Sequence, residues 1–129
     1  MNPNESEIPY EELFGMGVKA LELVGVPEED ARITVEILLW ADLRGVTTHG
    51  INRLLAYIPR LRNGLINPRP KIRVESQTPV TGLVYGDDGL GPVVGTKGMK
   101  EAIRKAKDYG IAFVGCRDSN NFGAAGLYV

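Results

Sequence analysis

Two prolines one residue apart, in Asn67-Pro68-Arg69-Pro70, divide this chain into stretches with different periodicities. Each proline fixes its own φ and pushes the residue before it out of the helical region, so no helix and no central strand can run through the pair. Upstream, apolar residues recur at three- and four-residue spacing; downstream, short apolar runs alternate with one longer helical pattern. The expected fold class is therefore α/β: a helical segment over residues 1–68, a stiff extended linker, then the first part of an α/β layer over 69–129.

Residues 1–9 read as an irregular lead-in. Over 10–24, Leu13, Gly17, Ala20, Leu21 and Val24 share a helical face, and Gly25 can close that helix. Pro27 suits the first turn of a second helix, with Glu28, Glu29 and Asp30 against its positive end. It should run to about Arg44 and be buried on two sides, by Ile33, Ile37, Trp40 and Ala41 and by Val35, Leu38 and Leu39. A third helix is expected from Thr47 or Thr48, either of which could cap it, with a core stripe of Ile51, Leu54, Leu55, Ile58 and Leu61. Pro59 should kink it near Leu55, and Asn63-Gly64 should end it.

Beyond the linker, 72–74 and 80–85 read as strands, Gly86-Asp-Asp-Gly-Leu-Gly91 as a loop, and Val94, Met99, Ala102, Ile103 and Ala106 as a helix face. Residues 111–116 look like a buried strand that packs Cys116 inside. A polar loop, Asp118-Ser119-Asn120-Asn121, leads into something helical from Phe122 onward. So few strands do not complete a sheet, and the α/β layer is expected to be incomplete.

With 43% apolar and 24% charged residues this is a globular composition, and a net charge of −1 gives no global attraction to nucleic acid or membrane. The basic residues Arg60, Arg62, Arg69, Lys71 and Arg73 read as a solvated face. A single cysteine excludes an internal disulfide. The polar start Met1-Asn-Pro-Asn-Glu-Ser-Glu is no signal peptide, and no apolar run reaches the roughly 18 residues of a membrane span, so a cytoplasmic protein is expected. One histidine and one distant cysteine cannot close a zinc site. Gly89-x-Gly91-x-x-x-Gly95 misses the dinucleotide spacing G-x-G-x-x-G, which favours a glycine turn with tight helix–sheet packing.

The chemistry gathers in Gly45-Val46-Thr47-Thr48-His49-Gly50-Ile51-Asn52-Arg53, which holds the only histidine. On a helix begun at the threonines, His49 and Arg53 are four residues apart and face the same way. An imidazole titrates nearest neutral pH, and a guanidinium forks onto a carboxylate. A proton donor beside an anion clamp suits an enzyme acting on a small 2-oxo or 2-hydroxy acid.

Ala41-Asp-Leu-Arg-Gly-Val-Thr-Thr-His-Gly50, Arg53, Tyr57, Gly64-Leu-Ile-Asn-Pro68, Gly89-Leu-Gly91, the Ala102 to Gly110 helix end and Asp118-Ser-Asn-Asn-Phe-Gly-Ala-Ala-Gly126 resemble the N-terminal part of the type-2 malate/L-lactate dehydrogenase family. That family includes malate, L-sulfolactate and ureidoglycolate dehydrogenases. The resemblance implies an oxidoreductase using NAD or NADP on a small 2-hydroxy/2-oxo acid such as malate or lactate. It implies an α/β cofactor domain that is not a Rossmann fold, and a homodimer with sites near the subunit interface. It makes His49 the proton donor to the substrate carbonyl, Thr48 the residue orienting it (where a serine is usual), and Arg53 the carboxylate grip. Asn121, Phe122, Gly123, Ala124 and Ala125 become the start of the nicotinamide site.

Asn121 departs from the family's usual histidine; an amide donates a hydrogen bond but exchanges no proton near neutrality. Family members are also more than twice as long, which implies a fragment lacking most of the cofactor pocket and the aspartate that partners the histidine. The isolated chain is then expected to be inactive. The alternative is a catalytically inactive remnant or dimerisation module of such an enzyme.

Overall fold

A computed structural model of the chain describes residues 7–128; the polar start, 1–6, and Val129 lie outside the described residues. Four α-helices and three strands follow one another as α1 (Tyr10–Glu22), α2 (Glu28–Asp42), α3 (Leu54–Arg62), β1 (Arg73–Ser76), β2 (Thr81–Gly89), α4 (Gly91–Tyr109) and β3 (Phe113–Ser119). The architecture is α/β, as the change of periodicity implies. Helix stops fall at glycines in the left-handed region: Gly25 (φ 92°), Gly45 (φ 72°), Gly64 (φ 70°) and Gly110 (φ 78°). That conformation costs an L-residue a Cβ clash, which glycine lacks.

α1 lays Gly17, Val18 and Leu21 on α2, which buries Ala31, Thr34, Val35, Ile37, Leu38, Leu39 and Ala41. Gly17 is a close approach: a Cβ there would press the two Val35 methyls at 3.0 and 3.1 Å. The same buried cluster takes in Leu54, Tyr57 and Leu61 of α3, Ile66 of the linker, and Leu90 and Val93 at the start of α4. One continuous apolar contact therefore joins the helical layer to the α/β layer.

The sheet order is β1-β2-β3, antiparallel across the first pair and parallel across the second, with α4 as the crossover. α4 covers one face only. Gly82 and Val84 of β2 pair with Val114 and Cys116 of β3 on the covered face, while Thr81, Leu83 and Tyr85 pair with Phe113, Gly115 and Arg117 on the other. Arg73, Tyr85 and Arg117 stand side by side across that second face, the two guanidiniums 3.7 and 5.5 Å from the ring centre.

This arrangement corrects several expectations. The 111–116 run is not buried: Phe113 is 74% exposed because its register puts it on the face without a helix, and Ile111, 72% exposed, precedes the strand. Cys116 is exposed as a residue, but its sulfur turns onto α4, where a Cβ on Gly98 would meet it at 2.6 Å. Burial there pushes the thiol up from its ordinary pKa, which disfavours a reactive thiolate. β2 continues through the expected 86–89 loop, with Asp87 (φ 51°) and Asp88 (φ 55°) forming an irregularity in its pairing with β3. The Asp87 carboxylate accepts from Asn67 Nδ2 (3.0 Å) and the Lys71 N–H (2.8 Å), so it braces the proline linker. Ile103 is half exposed, since the α4 face on the sheet runs through Val94, Gly98 and Lys105.

Lys105 is the one buried ammonium among the described residues, 3% exposed. Its stem lies over Gly82, and Nζ donates to Ser76 Oγ (2.6 Å) and the Thr78 carbonyl (3.0 Å), with Glu101 Oε1 at 3.8 Å. The lysine thus ties α4 to the β1–β2 hairpin. Lys105→Met keeps the stem but leaves two acceptors without their donor; thermal denaturation should show a loss of about 1–2 kcal/mol.

Candidate functional site

The His49 and Arg53 segment is not one helix. Thr47–His49 and Ile51–Arg53 form two separate 3-10 turns, and Gly50 between them is extended (φ −84°, ψ −163°). The four-residue spacing therefore does not set the relative direction of the two side chains as it would on an α-helix. Neither threonine caps a helix. Instead the carboxylate of Asp42, the last residue of α2, accepts the Ile51 N–H at 2.7 Å. A cap supplied nine residues away displaces the local one, and the helical phase of α3 shifts with it. Leu55, expected in the core stripe, is 78% exposed, while Leu54, Tyr57 and Leu61 face inward. Pro59 has no N–H to give the Leu55 carbonyl, and it interrupts the helix ladder on the side where Leu55 is exposed.

Thr48 Oγ1 lies 3.0 Å from His49 Nδ1. With the hydroxyl donating, Nδ1 is the acceptor and Nε2 carries the ring proton, pointing it away from Thr48. His49 is half buried and has no other side-chain partner among the described residues. Arg53 is also half buried; its Nε is buried and has no hydrogen-bond partner, and its guanidinium carbon stands 5.8 Å from the Tyr57 ring centre. An orphaned donor of this kind costs stability unless something absent from the bare chain accepts from it.

Tyr57, 3% exposed, links this region to the far segment. Its hydroxyl lies 3.3 Å from Asn121 Oδ1 and 3.4 Å from the Asn121 carbonyl. Oδ1 also accepts the Gly123 N–H at 3.0 Å, so the amide oxygen is held, and the amide NH2 has no partner among the described residues. One turn along α3, Arg60 Nη2 donates to Asn120 Oδ1 at 3.2 Å, and Asn120 Nδ2 donates to the carbonyls of Asp88 and Gly89. α3 thus clamps the 120–121 loop while the β2 irregularity holds it from the other side. Phe122 is half exposed, Gly123 (φ 80°) is buried where a Cβ would meet Ile37, Ala124 is buried, and Ala125 is exposed and opens one 3-10 turn, Ala125–Leu127. The Tyr128 hydroxyl closes this turn on the Phe122 carbonyl at 2.7 Å, and burial pushes that phenol up from its ordinary range.

Asp42, Tyr57, Arg60 and Asn120 are the residues that sequence reasoning did not place in the site. Gly89 and Gly91, whose spacing favours a glycine turn with tight packing, do pack closely: a Cβ on Gly91 would overlap the Asn120 and Asn121 carbonyls, and one on Gly89 would meet Pro70. Two clefts of about 310 Å³ open beside α2 and α4, lined by residues such as Ile33, Thr96 and Lys100; neither reaches His49 or Arg53.

The described residues hold no cluster of three or more metal-ligating side chains and no helix long and apolar enough to cross a membrane. The sequence profile of malate/L-lactate dehydrogenase matches residues 8–129. The chain is 48% identical over 128 residues to a malate dehydrogenase of Pyrococcus horikoshii, covering 99% of this chain and 36% of that one. It is 49% identical over 111 residues to an L-sulfolactate dehydrogenase of Methanocaldococcus jannaschii, covering 86% of this chain and 32% of that one. The structure of the Pyrococcus horikoshii malate dehydrogenase superposes with a TM-score of 0.95 over 98% of this chain and 36% of that one. The chain thus spans about a third of the length of these relatives. Profile, identity and superposition agree over nearly every residue, and the chain belongs to the malate/L-lactate dehydrogenase family.

Proposed function

We propose that this chain supplies the substrate-handling part of an oxidoreductase that interconverts a small 2-hydroxy acid and its 2-oxo acid with NAD or NADP. The observation that carries the reading is the Arg53 Nε, a buried donor with no acceptor among the described residues, in the same short segment as the only imidazole. A substrate carboxylate is the acceptor that side chain lacks. Relatives matching 99%, 86% and 81% of this chain are named for malate, L-sulfolactate and ureidoglycolate, and all three names denote small acids bearing a hydroxyl.

In this reading the Arg53 guanidinium holds the carboxylate and so fixes where C2 lies. Thr48 sets the imidazole by its contact to Nδ1. With Nδ1–H donating to the Thr48 hydroxyl oxygen, the His49 imidazolium gives its Nε2 proton to the C2 oxygen as the keto acid is reduced. It is left as the neutral ring, whose Nε2 takes the proton back during oxidation. Residues 1–68 carry these groups, and 69–129 begin the nicotinamide-binding part. Asn121 to Ala125 suit the start of that part: the Asn121 amide NH2, without a partner among the described residues, can donate to a cofactor amide, and Asn121, Phe122 and Ala125 are exposed while Gly123 and Ala124 are buried behind them. When bound, nicotinamide supplies or accepts the hydride. Asn121 adds a hydrogen bond and no second proton.

The test is a chimera in which this chain replaces the matching 36% of the Pyrococcus horikoshii malate dehydrogenase. Malate oxidation should persist, and His49→Ala should lower kcat about 100-fold or more. Undiminished turnover in that variant removes His49 from the chemistry. A second reading, self-association as a homodimer, is favoured by β3, whose outer edge is unpaired among the described residues. Sedimentation of the isolated chain as a monomer at micromolar concentration would count against it.

A further inference from the structure

Gly50 separates the turn bearing His49 from the turn bearing Arg53, and its dihedral angles are ones any residue adopts. Glycine is needed there for space. A Cβ at position 50 would overlap the Asp42 carboxylate, whose Oδ2 accepts the Ile51 N–H at 2.7 Å. On either side the same peptide units are tied into the two turns: Gly50 N–H donates to the Thr47 carbonyl at 3.2 Å, and Arg53 N–H donates to the Gly50 carbonyl at 2.9 Å. Asp42 is itself fixed as the end of α2, whose inner face is core. Its negative charge also sits at the start of the helical run that continues from Ile51 into α3, where free N–H groups favour an anion.

We propose that Asp42 is the positioning residue of this site. Its carboxylate, seated in the gap left by Gly50, sets the angle between the two turns and so the separation of imidazole and guanidinium. Asp42 touches no substrate; it acts through the Ile51 amide. The inference rests on the keto-acid reading only for the ligand used to test it.

The test compares the unsubstituted chain with Asp42→Ala, Asp42→Asn and Gly50→Ala, using oxalate as a two-carbon dianion. Two quantities are read: oxalate affinity by calorimetry, and hydrogen exchange of the Ile51 N–H and Arg53 Nε–H by NMR. Asp42→Ala and Gly50→Ala should weaken oxalate at least 10-fold and speed exchange at both protons at least 10-fold. Asp42→Asn keeps an acceptor oxygen and should recover oxalate affinity to within about 3-fold. A folded Asp42→Ala chain with unchanged affinity and unchanged exchange overturns the proposal. Should Asp42→Ala fail to fold, the Asn variant and Gly50→Ala decide it: exchange as slow in Gly50→Ala as in the parent overturns the proposal. If the parent takes up no oxalate, the keto-acid reading fails, and positioning is judged on the two exchange rates alone.

Discussion

Replacing Arg53 by methionine is expected to stabilise the unliganded chain while removing its affinity for carboxylates. In the bare chain the buried Nε–H has no acceptor among the described residues, and leaving such a donor unsatisfied costs about 1–3 kcal/mol. Methionine retains most of the aliphatic stem and has no donor to satisfy. What is lost is the contact of the guanidinium with the Tyr57 ring at 5.8 Å, worth about 0.5–1 kcal/mol. The balance favours the variant, by roughly 1 kcal/mol and a few degrees in Tm. Toward oxalate the sign reverses. Losing one member of a hydrogen-bonded charge pair costs about 2–5 kcal/mol, which is at least roughly a 30-fold rise in Kd. A side chain kept for packing would behave the other way, losing stability and leaving oxalate binding alone.

Gly91→Ala should produce the largest loss of stability of any single methyl addition at this site. The added Cβ falls on the carbonyl oxygens of Asn120 and Asn121, which are backbone atoms and cannot rotate aside as a side-chain tip can. Overpacking of this kind costs about 3 kcal/mol, or roughly a 10 °C fall in Tm for a chain of this size. Relief requires the 120–121 loop to back away from α4. That movement breaks the bond from Arg60 to Asn120 and the Tyr57–Asn121 contact. Loss of stability and loss of order at the loop should therefore appear together, in denaturation and in amide exchange at 120–123, with no nucleotide present. An alanine tolerated without either change would mean that Gly91 is not held against that loop.

What could be read from the sequence was whatever depends on neighbours within one turn of chain. Gly25, Gly45 and Gly64 mark helix ends because a left-handed residue is a local requirement. The paired prolines 68 and 70 announce the change from helices to sheet for the same reason. The misplaced features each depend on something distant. Asp42 reaches across nine residues to take the Ile51 N–H, so the threonines lose their capping role and Leu55 rotates out of the core. Phe113 is exposed because only one face of the sheet is covered, and an apolar strand looks alike with one face covered or two. Lys105 is buried because the hairpin turn offers it a hydroxyl and a carbonyl, which no spacing within α4 reveals. For the proposed site, the sequence offers His49, Thr48 and Arg53 as residue types; their mutual geometry it does not, since Gly50 between them is extended and Asp42, nine residues away, takes the Ile51 N–H.

The central claim is that the imidazole of His49 and the guanidinium of Arg53 serve one ligand. Because the chain holds a single histidine, its ring resonances can be followed without ambiguity. Titration with oxalate should move the His49 ring signals along a saturable curve in the parent chain, and the movement should vanish in the Arg53→Met chain. Signals that stay still in the parent, or that shift equally without the guanidinium, would contradict a shared site.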